Sequence, residues 1–94
     1  MEENNVNKHL FSLIISLSAA AWQQLGKVPN VMTGKIERNL GEAKVSIDML
    51  DMLKEKTKNN LTEDEEKILI TTLTDLQLNY VEELKLEQKK ETQH

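Results

Sequence analysis

The sequence predicts an all-α fold: three helices, at about residues 7–25, 40–58 and 63–88, in a helical hairpin or bundle completed by oligomerisation. Three observations predict it. The stretch from Leu10 to Gly26 carries no charge, in a chain where 30% of residues are charged. Two later segments place their apolar residues at helical rather than alternating spacing. Each helical segment is preceded by a residue that caps helices well, namely Asn7, Asn39 and Thr62. The organisation read from this is a flexible N-terminus at 1–6, one helical domain at 7–86 and a charged tail at 87–94.

The first helix starts after Asn7, with Val6 and Phe11 at hydrophobic-staple spacing. On a helical wheel Leu10, Leu13, Ile14, Leu17, Ala21 and Leu25 lie together, and Phe11, Ile15 and Trp22 widen the same face. The apolar arc spans roughly 200°, about twice that of an ordinary surface helix. Gly26 suits a left-handed residue after the helix end, and Pro29 blocks continuation. Lys27 to Arg38 is then a connector with a Thr33-Gly34 turn. Its Val28, Val31, Met32 and Ile36 are expected to fold back onto the helices.

The second helix opens at Asn39, with Glu42 three residues on. Leu40, Ala43, Ile47, Leu50 and Leu53 make one apolar stripe, and Val45, Met49 and Met52 make a second edge beside it. Lys54, Lys56 and Lys58 complement the negative end of the helix dipole, and Asn59-Asn60 ends the helix. Thr62 and Glu65 form a capping box at the head of the third helix, where Glu63 to Glu66 meet the positive end of its dipole. Leu69, Leu73, Leu76, Tyr80 and Leu84 supply its apolar face.

Composition sets the boundaries. Ninety-four residues make one small domain with a thin core. No cysteine is present, which excludes disulfides and thiolate metal sites. A net charge of −4, with lysines interleaved among glutamates, argues against nucleic acid as a partner. The apolar start resembles a signal peptide only superficially, because Glu2 and Glu3 stand where a basic region belongs. The apolar run also falls short of the ~20 residues that a spanning helix needs. A cytoplasmic location is the expectation.

Several motifs recur in order: Leu25-Gly26, Pro29, Thr33-Gly34, Asn39-Leu40, Ala43, Ile47-Asp48 with Leu50, Lys56-Thr57, Asn60-Leu61-Thr62 with Glu65, and Tyr80. On these, the chain resembles a family of short bacterial all-helical proteins classified only as a domain of unknown function. The resemblance covers roughly residues 10 to 83. It implies a helical fold and bacterial origin, and it brings no activity with it.

Little chemistry is legible. Asp48, Asp51 and Glu55 share a helical face, but the Glu-x-x-His partner of a di-iron bundle site is missing, and Lys44 stands four residues before Asp48. A solvated face is the better reading. His9 and His94 have no triad partners. Gly34-Lys35 lacks the earlier glycine of a phosphate loop, whose place Pro29 takes. No catalytic, cofactor-binding or metal-ligating residue is assigned, and no cofactor is expected.

Three helices carry more apolar surface than they can hide among themselves. The leading expectation is therefore a non-catalytic protein-interaction module that self-associates as a dimer or higher oligomer. Its surface is assigned to Ser12, Ser16, Ala19 and Trp22 of the first helix and to Val45, Met49 and Met52 of the second. A further, unidentified protein partner is compatible with this. The alternative is peripheral association of the first helix with a membrane surface, for which Trp22 is a suitable anchor but the flanking cations are missing. A ligand-binding or enzymatic role at the 28–39 connector ranks last.

Overall fold

The computed structural model describes residues 5–92, with side chains through Lys90. His94 and most of the expected flexible N-terminus lie outside the described residues. Three α-helices make up the fold: α1 (Lys8–Gln24), α2 (Leu40–Lys56) and α3 (Glu63–Thr92). The described residues contain no strand.

The helix ends follow from their residues. The Asn7 side chain accepts from the His9 and Leu10 amides at 2.9 and 3.1 Å. At the other end of α1, Gly26 adopts φ +81°. Its amide bonds to Gln23 O and the Lys27 amide to Trp22 O, both at 3.0 Å, which is a Schellman ending. Asn39 Oδ1 caps α2 through the Glu42 amide at 3.0 Å. The Thr62–Glu65 capping box is reciprocal: Glu65 N donates to Thr62 Oγ1 at 3.1 Å, and Thr62 N to Glu65 Oε1 at 2.9 Å. α3 continues helical to Thr92, through residues read from sequence as the start of a charged tail.

The Asn39 amide donates to Gln24 O at 2.7 Å, so α2 begins where α1 ends and runs back along it. Six residues then separate α2 from α3, which runs parallel to α1. Two polar contacts align that parallel pair: Asn7 N to Glu65 Oε2 at 2.6 Å and Lys27 Nζ to Glu83 Oε2 at 2.8 Å. At 1.5 Å per residue α3 is about 45 Å long and the other two about 25 Å. The last turns of α3 therefore run past the end of α1, where the connector lies beside them.

The core consists of Ile14, Ala21 and Leu25, then Ala43, Ile47 and Leu50, then Leu69, Leu73 and Leu76. Leu10, Leu17, Trp22, Leu40, Leu53 and Tyr80 pack around it, half-buried. Truncating one of the fully buried leucines to alanine costs about 2–5 kcal/mol in cores of this kind. The wide arc of α1 is not fully used. Its middle is buried, whereas Leu13 at one edge and Phe11 and Ile15 at the other stay exposed. Two neighbouring helices cover only part of a helix's circumference.

One expectation fails. Val28, Val31, Met32 and Ile36 do not fold back onto the helices; all four are exposed. The Asn30–Glu37 part of the connector closes on itself through hydrogen bonds, and this turns the apolar side chains outward.

Candidate interaction surface

On α2, Val45, Met49 and Met52 stand at i, i+4 and i+7 and form an exposed ridge, each about half accessible to solvent. The adjoining flank of α1 is marked by Gln24, whose side-chain amide lies 2.7 Å from Ser46 Oγ of α2. The carbonyls of Glu42 and Ala20, at 3.1 and 3.2 Å from the same amide, require its nitrogen to face them. Leu13 and Ala20 share that flank by helical spacing, and Ser16 borders it. Ser12 and Ala19 lie further round, on the solvent side. Trp22, two residues from Gln24, lies about 200° round the helix on the opposite flank and is half-buried. Thus the α2 ridge and Ser16 border one face, and Trp22 belongs to another.

The connector's ends are fixed at a polar corner. Glu83 is only 8% exposed, yet both its oxygens are used. Oε2 accepts from Lys27 Nζ at 2.8 Å, and Oε1 from Arg38 Nη1 at 2.7 Å. Arg38 Nη2 reaches on to Glu87. The Lys27 ammonium, and then the Arg38 guanidinium, hold the Glu83 carboxyl below its ordinary range, against the opposing pull of desolvation. Gly26 allows this corner to close: a Cβ there would sit 3.2 Å from Arg38 Cβ. Sequence reasoning missed Lys27, Arg38 and Glu83. The available signal was Glu83 itself, seven residues after Leu76 and so on the apolar face of α3, where a carboxylate needs cations.

Between its fixed ends the connector forms a closed turn. Asn30 N donates to Lys35 O at 2.8 Å, and Gly34 N to Asn30 O at 2.7 Å, with Gly34 at φ +72°. Asn30 Oδ1 accepts from the Met32 and Thr33 amides at 2.7 and 3.3 Å. Asn30 Nδ2 and Thr33 Oγ1 donate to the two oxygens of Glu37 at 2.9 and 3.3 Å. Val31 and Met32 occupy the apex, 90% and 89% exposed. Within the turn, the polar side chains of Asn30, Thr33 and Glu37 are thus spent on one another and on the turn's own amides.

The carboxylates of α2 behave as a solvated face. Lys44 Nζ donates to Asp48 Oδ2 at 2.9 Å, which raises the lysine's pKa. Among the described residues no group of three or more His, Cys, Asp or Glu side chains is placed to hold a metal ion. His9 is exposed in the first turn of α1. A shallow groove of about 300 Å³ between α2 and α3 is lined by Ile47, Tyr80 and Val81, with the Lys44–Asp48 pair at its edge. No described helix is long and apolar enough to cross a membrane.

No curated protein and no solved structure matches the chain. The capped ends, the Gly26 corner, the Asn30–Glu37 turn and the Asn39 cap all fall within one matched stretch, for the model of a protein family covers residues 7–82. The chain belongs to that family, described as a domain of unknown function (DUF1844).

Proposed function

We propose that the protein is a non-catalytic interaction module that pairs with a second copy of itself through the α1–α2 side of the bundle. The observation that carries this reading is the Val45, Met49 and Met52 ridge, 53%, 45% and 51% exposed. Three large apolar side chains at helical spacing on a rigid helix are unfavourable in water and match the seam of a helix-to-helix contact. Leu13 extends the ridge toward α1, and Ser16 beside it lets a second helix approach closely. The methionines adapt to whatever opposes them. A two-fold arrangement makes the ridge self-complementary.

Size-exclusion chromatography with light scattering at micromolar concentration tests the reading. The wild-type chain is expected at twice the monomer mass, and Met49→Glu with Met52→Glu at the monomer mass with unchanged helicity. A folded wild-type monomer overturns the proposal.

A further inference from the structure

The α2 ridge is longer than its three apolar residues. Glu42 stands three residues before Val45, and Lys56 four residues after Met52. Glu42, Val45, Met49, Met52 and Lys56 therefore repeat at spacings of three, four, three and four, on one line along α2. This is the seam spacing of two helices that pack along their length. All five residues are exposed, whereas Ala43, Ile47 and Leu50 are buried on the far side of the helix. The seam is apolar in the middle, negative where α2 starts and positive where it ends.

Neither end charge has a partner within the chain. A glutamate three residues after a cap ordinarily reaches back to the cap's own amide. Here the Asn39 amide is spent on Gln24 O at 2.7 Å, so the Glu42 carboxylate is left over. Lys56 has Met52 and Leu53 one turn before it, and neither carries a charge. Among the described residues, the Glu42 carboxylate and the Lys56 ammonium form no hydrogen bond and no ion pair. Lys44, off the seam, is by contrast paired with Asp48.

Met49 is equidistant from the two charges, seven residues or about 10 Å from each. A two-fold axis at Met49 that sets two copies of α2 antiparallel brings Glu42 of each protomer opposite the partner's Lys56, once at either end. The same seam set parallel puts carboxylate beside carboxylate and ammonium beside ammonium. Charge thus selects one of the two orientations, and opposed helix dipoles favour the same one.

We propose that two copies of the chain pair through α2, antiparallel about Met49, with each Glu42 bridging to the partner's Lys56. The inference rests on the self-pairing proposed above and adds its orientation and register.

Cross-linking reads the orientation directly, because the chain has no cysteine of its own. Equal amounts of Glu42→Cys and Lys56→Cys chains are mixed and treated with a short bis-maleimide, and the products are identified by mass spectrometry. Mixed dimers, linked 42 to 56, are expected, and they keep one native Glu42–Lys56 pair. The two positions 42 lie about 20 Å apart along the antiparallel seam, out of each other's reach. Charge exchange tests the bridges. Glu42→Lys and Lys56→Glu should each weaken dimerisation about tenfold, by turning two attractions into two repulsions. The chain carrying both changes should return to within about threefold of wild type. Lost dipole complementarity would instead add up in that double variant, so recovery separates pairing from helix stability. Circular dichroism checks helicity, and the cross-linking decides if a charge variant unfolds.

A wild-type chain that is monomeric by light scattering overturns the self-pairing, and this inference with it. A wild-type dimer whose thiol variants link 42 to 42 and 56 to 56, or give no mixed product, overturns the orientation alone. So does a double exchange that pairs no more tightly than the single ones.

Discussion

Glu65 and Glu83 lie eighteen residues apart on α3, five turns, and therefore on the same line of the helix. Both are nearly buried and both bind the α1 side of the molecule, yet they do so with different partners. Glu65 accepts backbone amides, those of Thr62 and Asn7, at 2.9 and 2.6 Å. Thr62 Oγ1 adds a bond to Asn5 O. Glu83 accepts charged side chains, Lys27 and Arg38. The first clasp ends two chain segments with neutral donors that are unsatisfied in any helix start. The second holds a long connector with cations that unfolding returns to water. One carboxylate thus completes backbone hydrogen bonding, whereas the other fixes a loop.

Of the two clasps, the second is expected to show the larger effect when it is broken. Glu83→Ala leaves Lys27 and Arg38 partly buried without their shared acceptor, and should lower unfolding free energy by about 2 kcal/mol. Urea unfolding followed by circular dichroism measures it. A loss smaller than that of an ordinary surface change would show that the corner does not hold the connector.

Gly26→Ala attacks the same corner from the backbone, combining a strained φ of +81° with a Cβ pressed on Arg38. A loss of about 1–2 kcal/mol is expected in urea unfolding. At the first clasp, Thr62→Ala removes one half of the capping box and should cost about 1 kcal/mol, measured by thermal melting.

The pH dependence separates the clasps further. Both carboxyls titrate below their ordinary range in the folded chain, Glu65 because of the Thr62 and then the Asn7 amide, Glu83 because of Lys27 and Arg38. The unfolded chain therefore binds protons first as pH falls. The stabilisation is fully present above the ordinary carboxylate pKa of about 4.3 and is lost as pH falls through and below it. Glu83→Gln should flatten part of that acid loss. Added salt should weaken the Glu83 clasp more than the Glu65 clasp, because screening acts on charges and much less on amide donors. The smallest effect is expected at Lys44→Ala. Its pair with Asp48 is exposed on both sides, and the melting temperature should not move measurably.

The clasps also mark how much was legible beforehand. The Glu65 clasp was half visible, because Thr62 and Glu65 are three residues apart and the capping box is local. Its bond to Asn7 spans 58 residues and left no local trace. The Glu83 clasp was missed altogether: its partners are 45 and 56 residues away, and only the charge on an apolar stripe hinted at it. Hydropathy alone places Val31 and Met32 inward, because they are apolar and near helices. Burial there depends on where the Asn30–Glu37 hydrogen bonds turn the backbone, which hydropathy does not encode.

By itself the sequence determined the three helices, their caps at Asn7, Asn39 and Thr62, the break at Gly26 and the surplus of apolar side chains. These rest on interactions within four or five residues, or on composition. Beyond the Val45, Met49 and Met52 edge, only the tertiary structure decided which part of that surplus stays outside: the edges of the α1 arc and the connector apex. The same structure brought Lys27, Arg38 and Glu83 together. Which neighbour covers a side chain is set by how distant segments cross, and a helix's own periodicity says only that some neighbour is wanted.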